Sequence, residues 1–267
     1  MKERLKRALT TGTFILTLGI LASTVCAWQI ETIETGVEMG WYCDIAVDDS
    51  CRPHISYFKG IGVNVGHLGY ATWRGTGWYT AVADSEERDG HHTSIAVDAS
   101  GHPHISYQDL DHCDLKYARW NGTEWEVQRI DSSPCVGEGT SIAIDDSGRP
   151  HTAYYEYTGG NLKYATFRDG EWFVEKVDSS GDVGRYCSLA LQFGINPYIS
   201  YRSGAASSSD LGLARRSGPI WYFEKVDTIG RSGARTSIVI DSNGYPQIAY
   251  KGYDFSVIRL ARWTGSE

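Results

Sequence analysis

Asp98, His104 and Ser106 bring a carboxylate, an imidazole and a hydroxyl into one short stretch, and Asp48, His54 and Ser56 repeat the set. These are the parts of a hydrolytic triad. One pocket needs only one nucleophile, so a group copied in several repeats is better explained by structure, with Asp and His tying a hairpin turn together. The joint loss of both partners at Gln192 and Tyr198 fits that account. His91, His92 and His112 offer ligand nitrogens, but neighbours along a strand point to opposite faces, so no metal is expected there. Repeated tyrosines and tryptophans can stack on sugars, yet large aromatics in short strands more often pack a core.

The elements that position these groups come from an internal repeat. Pro53, Pro103, Pro150, Pro197 and Pro246 lie 50, 47, 47 and 49 residues apart. Thirteen residues before each stands a glycine (Gly40, Gly90, Gly137, Gly184, Gly233), and four residues after each a tyrosine (Tyr57, Tyr107, Tyr154, Tyr201, Tyr250). A period near 50 residues signals a propeller or another array. Each repeat predicts four short strands, a to d: Ser-Ile-Ala-Val-Asp, an Asp-x-Ser-Gly turn, Pro-His-Ile-Ser-Tyr, a strand like Leu115 to Trp120, and one opened by Trp and ended by an acid.

The fourth strand recurs at Trp78, Trp125, Trp172 and Trp221, while the last repeat reaches only Trp263-Thr264-Gly265-Ser266-Glu267. The missing copy stands at the other end, as Trp28 to Glu34. The expected fold is therefore an all-β, five-bladed β-propeller with four antiparallel strands per blade, residues 28–34 closing the last blade. One domain, 28–267, follows a secretory signal at 1–27, which has Lys2, Arg4, Lys6 and Arg7, an apolar stretch from Phe14 to Leu21, and small residues before Trp28. No other segment is a candidate membrane span, and Cys26 is poorly placed for a lipid anchor behind Val25.

The formal net charge is −8, which disfavours nucleic acid and anionic membrane as partners. Export, secreted or periplasmic, permits disulfides. Cys113 in a b–c loop and Cys135 in the following d–a loop share one rim and form the expected bridge. Cys43 and Cys187 fall in blades that are not neighbours, and Cys51 replaces a turn glycine as a free thiol.

Recognition is expected where the repeat departs from itself. The two residues after the repeated glycine, at the axial mouth of that top rim, read Trp41-Tyr42, His91-His92, Glu138-Gly139, Arg185-Tyr186 and Ala234-Arg235. Asp44 stands where other blades have serine. Variable loops on a rigid scaffold are the usual home of binding groups.

The phrases Ser94 to Tyr107 and Leu115 to Trp120 resemble the repeats of secreted bacterial β-propeller proteins, across essentially all of residues 28–267. The resemblance speaks to fold and not to activity; the first functional expectation is a monomeric, non-enzymatic binding module without a cofactor, lectin-like and holding a glycan or surface ligand at the top rim. Five-bladed lectins of the tachylectin type have that architecture. Furanosidase-type five-bladed propellers imply an alternative, a glycoside hydrolase with Asp44 as base, Glu138 as acid and Arg185 or Arg235 binding substrate. A protein-interaction scaffold is the third reading. The sialidase Asp-box is absent.

Overall fold

The computed structural model describes residues 29–63, 65–86, 88–254 and 256–265. Residues 1–28, including the expected signal and Trp28, lie outside them. Contacts divide the chain into Met1–Thr32 and Ile33–Glu267. In the first unit, Gln29 donates to Glu31 at 2.6 Å.

The second unit holds 19 strands in five antiparallel sheets. β1 (Cys43–Val47), β2 (Pro53–Gly62), β3 (Val65–Trp73) and β4 (Trp78–Asp84) make the first. β5 (His91–Val97), β6 (Pro103–Asp109), β7 (Asp114–Trp120) and β8 (Trp125–Asp131) make the second, and β9 (Val136–Ile144), β10 (Pro150–Glu156), β11 (Asn161–Arg168) and β12 (Glu171–Asp178) the third. β13 (Val183–Gln192), β14 (Asn196–Ser203), β15 (Asp210–Ser217) and β16 (Ile220–Asp227) form the fourth; β17 (Ala234–Ile240), β18 (Pro246–Gly252) and β19 (Val257–Arg262) form a three-stranded fifth. Residues 29–36 carry no strand, so the expected fourth strand of that sheet is not formed among the described residues.

Strands a pack in sequence, β1 on β5, β5 on β9, β9 on β13 and β13 on β17, which makes them the inner edge of each sheet. The core is a series of sheet-to-sheet interfaces. Leu68 and Tyr70 meet Ile95 and Ile105; Leu115 and Tyr117 meet Ile142 and Tyr154; Leu162 and Tyr164 meet Leu189 and Ile199; Leu211 and Leu213 meet Ile238 and Ile248. Burying such a leucine contributes about 2 kcal/mol. The tryptophan opening strand d caps the first three interfaces edge-on: Trp125 on Tyr70 at 5.0 Å, Trp172 on Tyr117 at 5.0 Å and Trp221 on Tyr164 at 5.3 Å.

The repeated tyrosine and the repeated acid prove to be partners. Tyr107 donates to Asp84 at 2.6 Å, Tyr154 to Asp131 at 2.6 Å, Tyr201 to Asp178 at 2.8 Å and Tyr250 to Asp227 at 2.7 Å, each joining one blade to the end of strand d in the blade before. Tyr57 makes the same bond to Glu34. Lys116, Lys163 and Arg259 on strand c add a cation to Asp84, Asp131 and Asp227.

Candidate functional site

The top rim is built on a backbone device. All five repeated glycines have positive φ, from 72° at Gly40 to 103° at Gly184. A Cβ on Gly184 would lie 2.6 Å from the Leu162 Cα, and one on Gly233 would lie 2.4 Å from the Asp210 carbonyl oxygen. Two residues on, the backbone turns left-handed again at His92 (49°), Gly139 (63°), Tyr186 (56°) and Arg235 (50°). The ladder between strands a and b slips there in the second to fifth sheets. Such bulges re-aim side chains, and each non-glycine residue held left-handed costs about 1 kcal/mol.

This bulge overturns the opposite-faces argument for the histidines. Tyr42 lies 5.4 Å from the His91 ring and 4.5 Å from the His92 ring, so both imidazoles share one aromatic cluster, which Phe58 joins at 4.4 Å from His91. Burial and the His91 charge pull the His92 pKa down to about 4, leaving it neutral at ordinary pH. Trp41 stands beside this cluster in sequence with more than half its surface exposed.

The remaining arc of the rim is charged. Arg185 donates to Glu138 at 2.9 and 3.2 Å and stacks over Tyr155 at 4.5 Å. Arg202 donates to Asp182 at 2.8 Å, and Tyr155 donates to the same carboxylate at 2.7 Å. Tyr186 lies beneath both Arg202 and Arg235, at 5.8 and 5.9 Å. Sequence reasoning missed Tyr155 and Arg202. The signal was present: the residue after the repeated tyrosine reads Phe58, Gln108, Tyr155, Arg202 and Lys251, unlike in every blade.

Asp44 is engaged with the next blade. Its Oδ2 accepts from the Ser94 hydroxyl and the Ile95 amide, both at 2.9 Å. In later blades the serine hydroxyl at that position accepts the amide of the following blade, as Ser141 does from Leu189 at 3.0 Å. Asp44 therefore belongs to the blade-to-blade ladder, and Glu138 is held in its ion pair with Arg185.

Cys113 and Cys135 are brought together as thiols with their sulfurs 2.7 Å apart. Burial, then the Cys113 sulfur, pushes the Cys135 thiol up to about 11. Cys51 is an exposed free thiol at φ 60°, in the conformation of the glycine it replaces.

On the opposite face the Asp, His and Ser set is dismantled. Asp98 Oδ1 accepts the turn amides of Ser100 and His102 at 2.9 Å each, while His104 pairs through Nδ1 with the Tyr117 hydroxyl at 2.6 Å and reaches Asp98 Oδ2 through Nε2 at only 3.4 Å. Ser106 pairs with Thr140 at 2.9 Å, away from the imidazole. The same geometry holds His54 on Tyr70 and His151 on Tyr164. Asp84, Glu86 and Asp89 also converge, but Lys116 Nζ sits among them at 2.5, 2.9 and 2.8 Å, an ammonium where a metal ion would have to be.

The sequence matches no family model and no curated protein. The structure is similar to a Dyadobacter fermentans protein of unknown function, with TM-score 0.59 and 8% identity over 84% of this chain and 82% of that one. It is also similar to an ulvan lyase of polysaccharide lyase family 25, with TM-score 0.58 and 13% identity over 82% of this chain and 65% of the lyase. A third likeness is to the fucose-recognising, six-bladed lectin of Aleuria aurantia, with TM-score 0.52 and 11% identity over 84% of this chain and 75% of the lectin. The fold is a β-propeller. At these identities the propeller likeness concerns architecture alone, because unrelated functions share one scaffold.

Proposed function

We propose that this propeller is a secreted or periplasmic, monomeric glycan-binding module whose top rim recognises the ligand. The observation that carries the reading is the retention of His92, Tyr186 and Arg235 in a strained backbone conformation at equivalent positions of the rim. Strain of this kind is kept where the surrounding structure serves a site. The rim supplies aromatic faces in one arc and arginines with carboxylates in the other, the mixture that fits sugar rings and hydroxyls. Binding is favoured over hydrolysis because the two candidate carboxylates are both engaged, Asp44 by the Ser94 hydroxyl and the Ile95 amide and Glu138 by Arg185.

The same proposal gives the ring five blades, the fifth completed by residues 28–34, and closes a disulfide between Cys113 and Cys135 after export. Glu34 supports the first part: it accepts from Tyr57 as the strand d acids accept from their tyrosines. A glycan array tests the binding reading. Hits that vanish in Trp41→Ala with Tyr42→Ala, or in Arg185→Ala, are expected; an array without hits, or hits indifferent to both variants, would sink it.

A further inference from the structure

A second cavity lies away from the rim, on the face that carries the a–b turns. It is a cleft of about 300 Å³ between the first and second sheets. Trp73, Tyr79 and Trp120 contribute aromatic faces, and Arg74 contributes a cation beside the His102 imidazole and Arg52, which is paired with Asp48 at 2.6 Å. No Asp or Glu lines it, in a chain whose net charge is −8. The Arg74 guanidinium lies flat over Tyr79, 3.5 Å from the ring centroid, and has no carboxylate partner among the described residues. His102 Nδ1 stands 3.5 Å from the turn carboxylate of Asp98.

The strand positions that line this cleft differ between the sheets. Across the strands of the first sheet Thr72 faces Tyr79, where the second sheet pairs Arg119 with Glu126 at 2.7 Å. The corresponding cleft between the fourth and fifth sheets is smaller, about 210 Å³, and Glu224 neutralises its Arg215 at 2.9 Å. The first sheet thus has a small side chain and a ring in place of an ion pair, which opens the space beside the stacked Arg74; the third sheet makes the same exchange, Thr166 facing Phe173 with Arg168 over that ring at 3.9 Å.

We propose that this cleft is a second saccharide site, specific for a sugar that carries an anionic group. The indole and phenol faces take the apolar face of the ring. A planar guanidinium, already oriented by stacking, offers paired donors to a carboxylate or a sulfate. Uronic acids and sulfated sugars share this chemistry, and the site is separate from the rim.

Calorimetric titration with tetragalacturonate, with a sulfated galactan tetramer and with neutral cellotetraose tests it. At least one anionic tetramer binds, and which one binds assigns the charged group; cellotetraose binds about tenfold more weakly or not at all. Arg74→Gln with His102→Gln, both surface changes, weakens the anionic tetramer about tenfold with an unchanged melting temperature. Trp41→Ala with Tyr42→Ala leaves it unaffected. The proposal is overturned if neither anionic tetramer binds, if the neutral one binds as well, or if the rim variant and not the cleft variant abolishes binding.

Discussion

The two ends of the blades follow opposite rules. At the a–b turns of the first three sheets an aspartate caps two amides and a histidine leans on a tyrosine, with the same atoms each time; the fifth sheet keeps the aspartate cap and the fourth has neither partner. At the top rim only the backbone repeats, and the side chains that the repeated glycine and its bulge present differ in every blade. Conformation is the shared property at one end and chemistry at the other. Repetition therefore marks what holds the blades, and departure from it marks the residues to which the proposed recognition is assigned.

Substitutions at the glycines break this comparison hardest. Gly184→Ala forces a Cβ onto the Leu162 backbone in a left-handed conformation, and chemical denaturation is expected to show a loss of about 3 kcal/mol or more. Gly148→Ala, at φ 78° with open space around it, costs about 1 kcal/mol, from backbone strain alone. Equal losses would mean that the rim glycines serve φ and not close approach.

Cutting one blade-to-blade bond comes next. Tyr154→Phe removes a donor from buried Asp131 and is expected to cost about 2 kcal/mol, while Tyr57→Phe, whose acid lies on a segment without strand structure, costs less. Thermal melts of the two variants compare them directly.

Acid acts on the turn face. Burial, opposed by Asp98, lowers the His104 pKa to about 4. Because the folded value is depressed, the unfolded chain binds the proton more readily between pH 6.5 and 4, so stability present above pH 6.5 falls as pH drops through that window. His104→Gln should flatten the slope of melting temperature against pH there; an unchanged slope would assign it to other groups.

The smallest effect separates the ends most sharply. Arg235→Gly at the rim relieves a left-handed arginine and is expected to raise stability by about 1 kcal/mol while weakening glycan binding. A loss of stability would make Arg235 a structural residue.

Much of this architecture was legible because the repeat samples each position five times. The proline, tyrosine and glycine registers placed the strands, and the turn signature placed the hairpins. The Tyr154 to Asp131 bond was not legible, although both residues were visible, because it joins different blades through an inter-sheet geometry that periodicity does not encode. The bulge at His92 escaped for a related reason: alternation along a strand assumes an unbroken pleat, and a positive φ reverses it. Asp44 looked exceptional as an acid among serines, yet it accepts hydrogen bonds from the following blade as those serines do.

The bulge that follows the glycine in the second to fifth sheets also separates two kinds of evolutionary freedom. Since the glycine and the cross-blade packing behind it set the backbone, the residues after it are sockets whose contents can be exchanged without rebuilding the blade. In the proposed glycan-binding role such sockets form a combinatorial alphabet, so a new specificity is reached by rewriting a few letters while the frame that displays them stays the same.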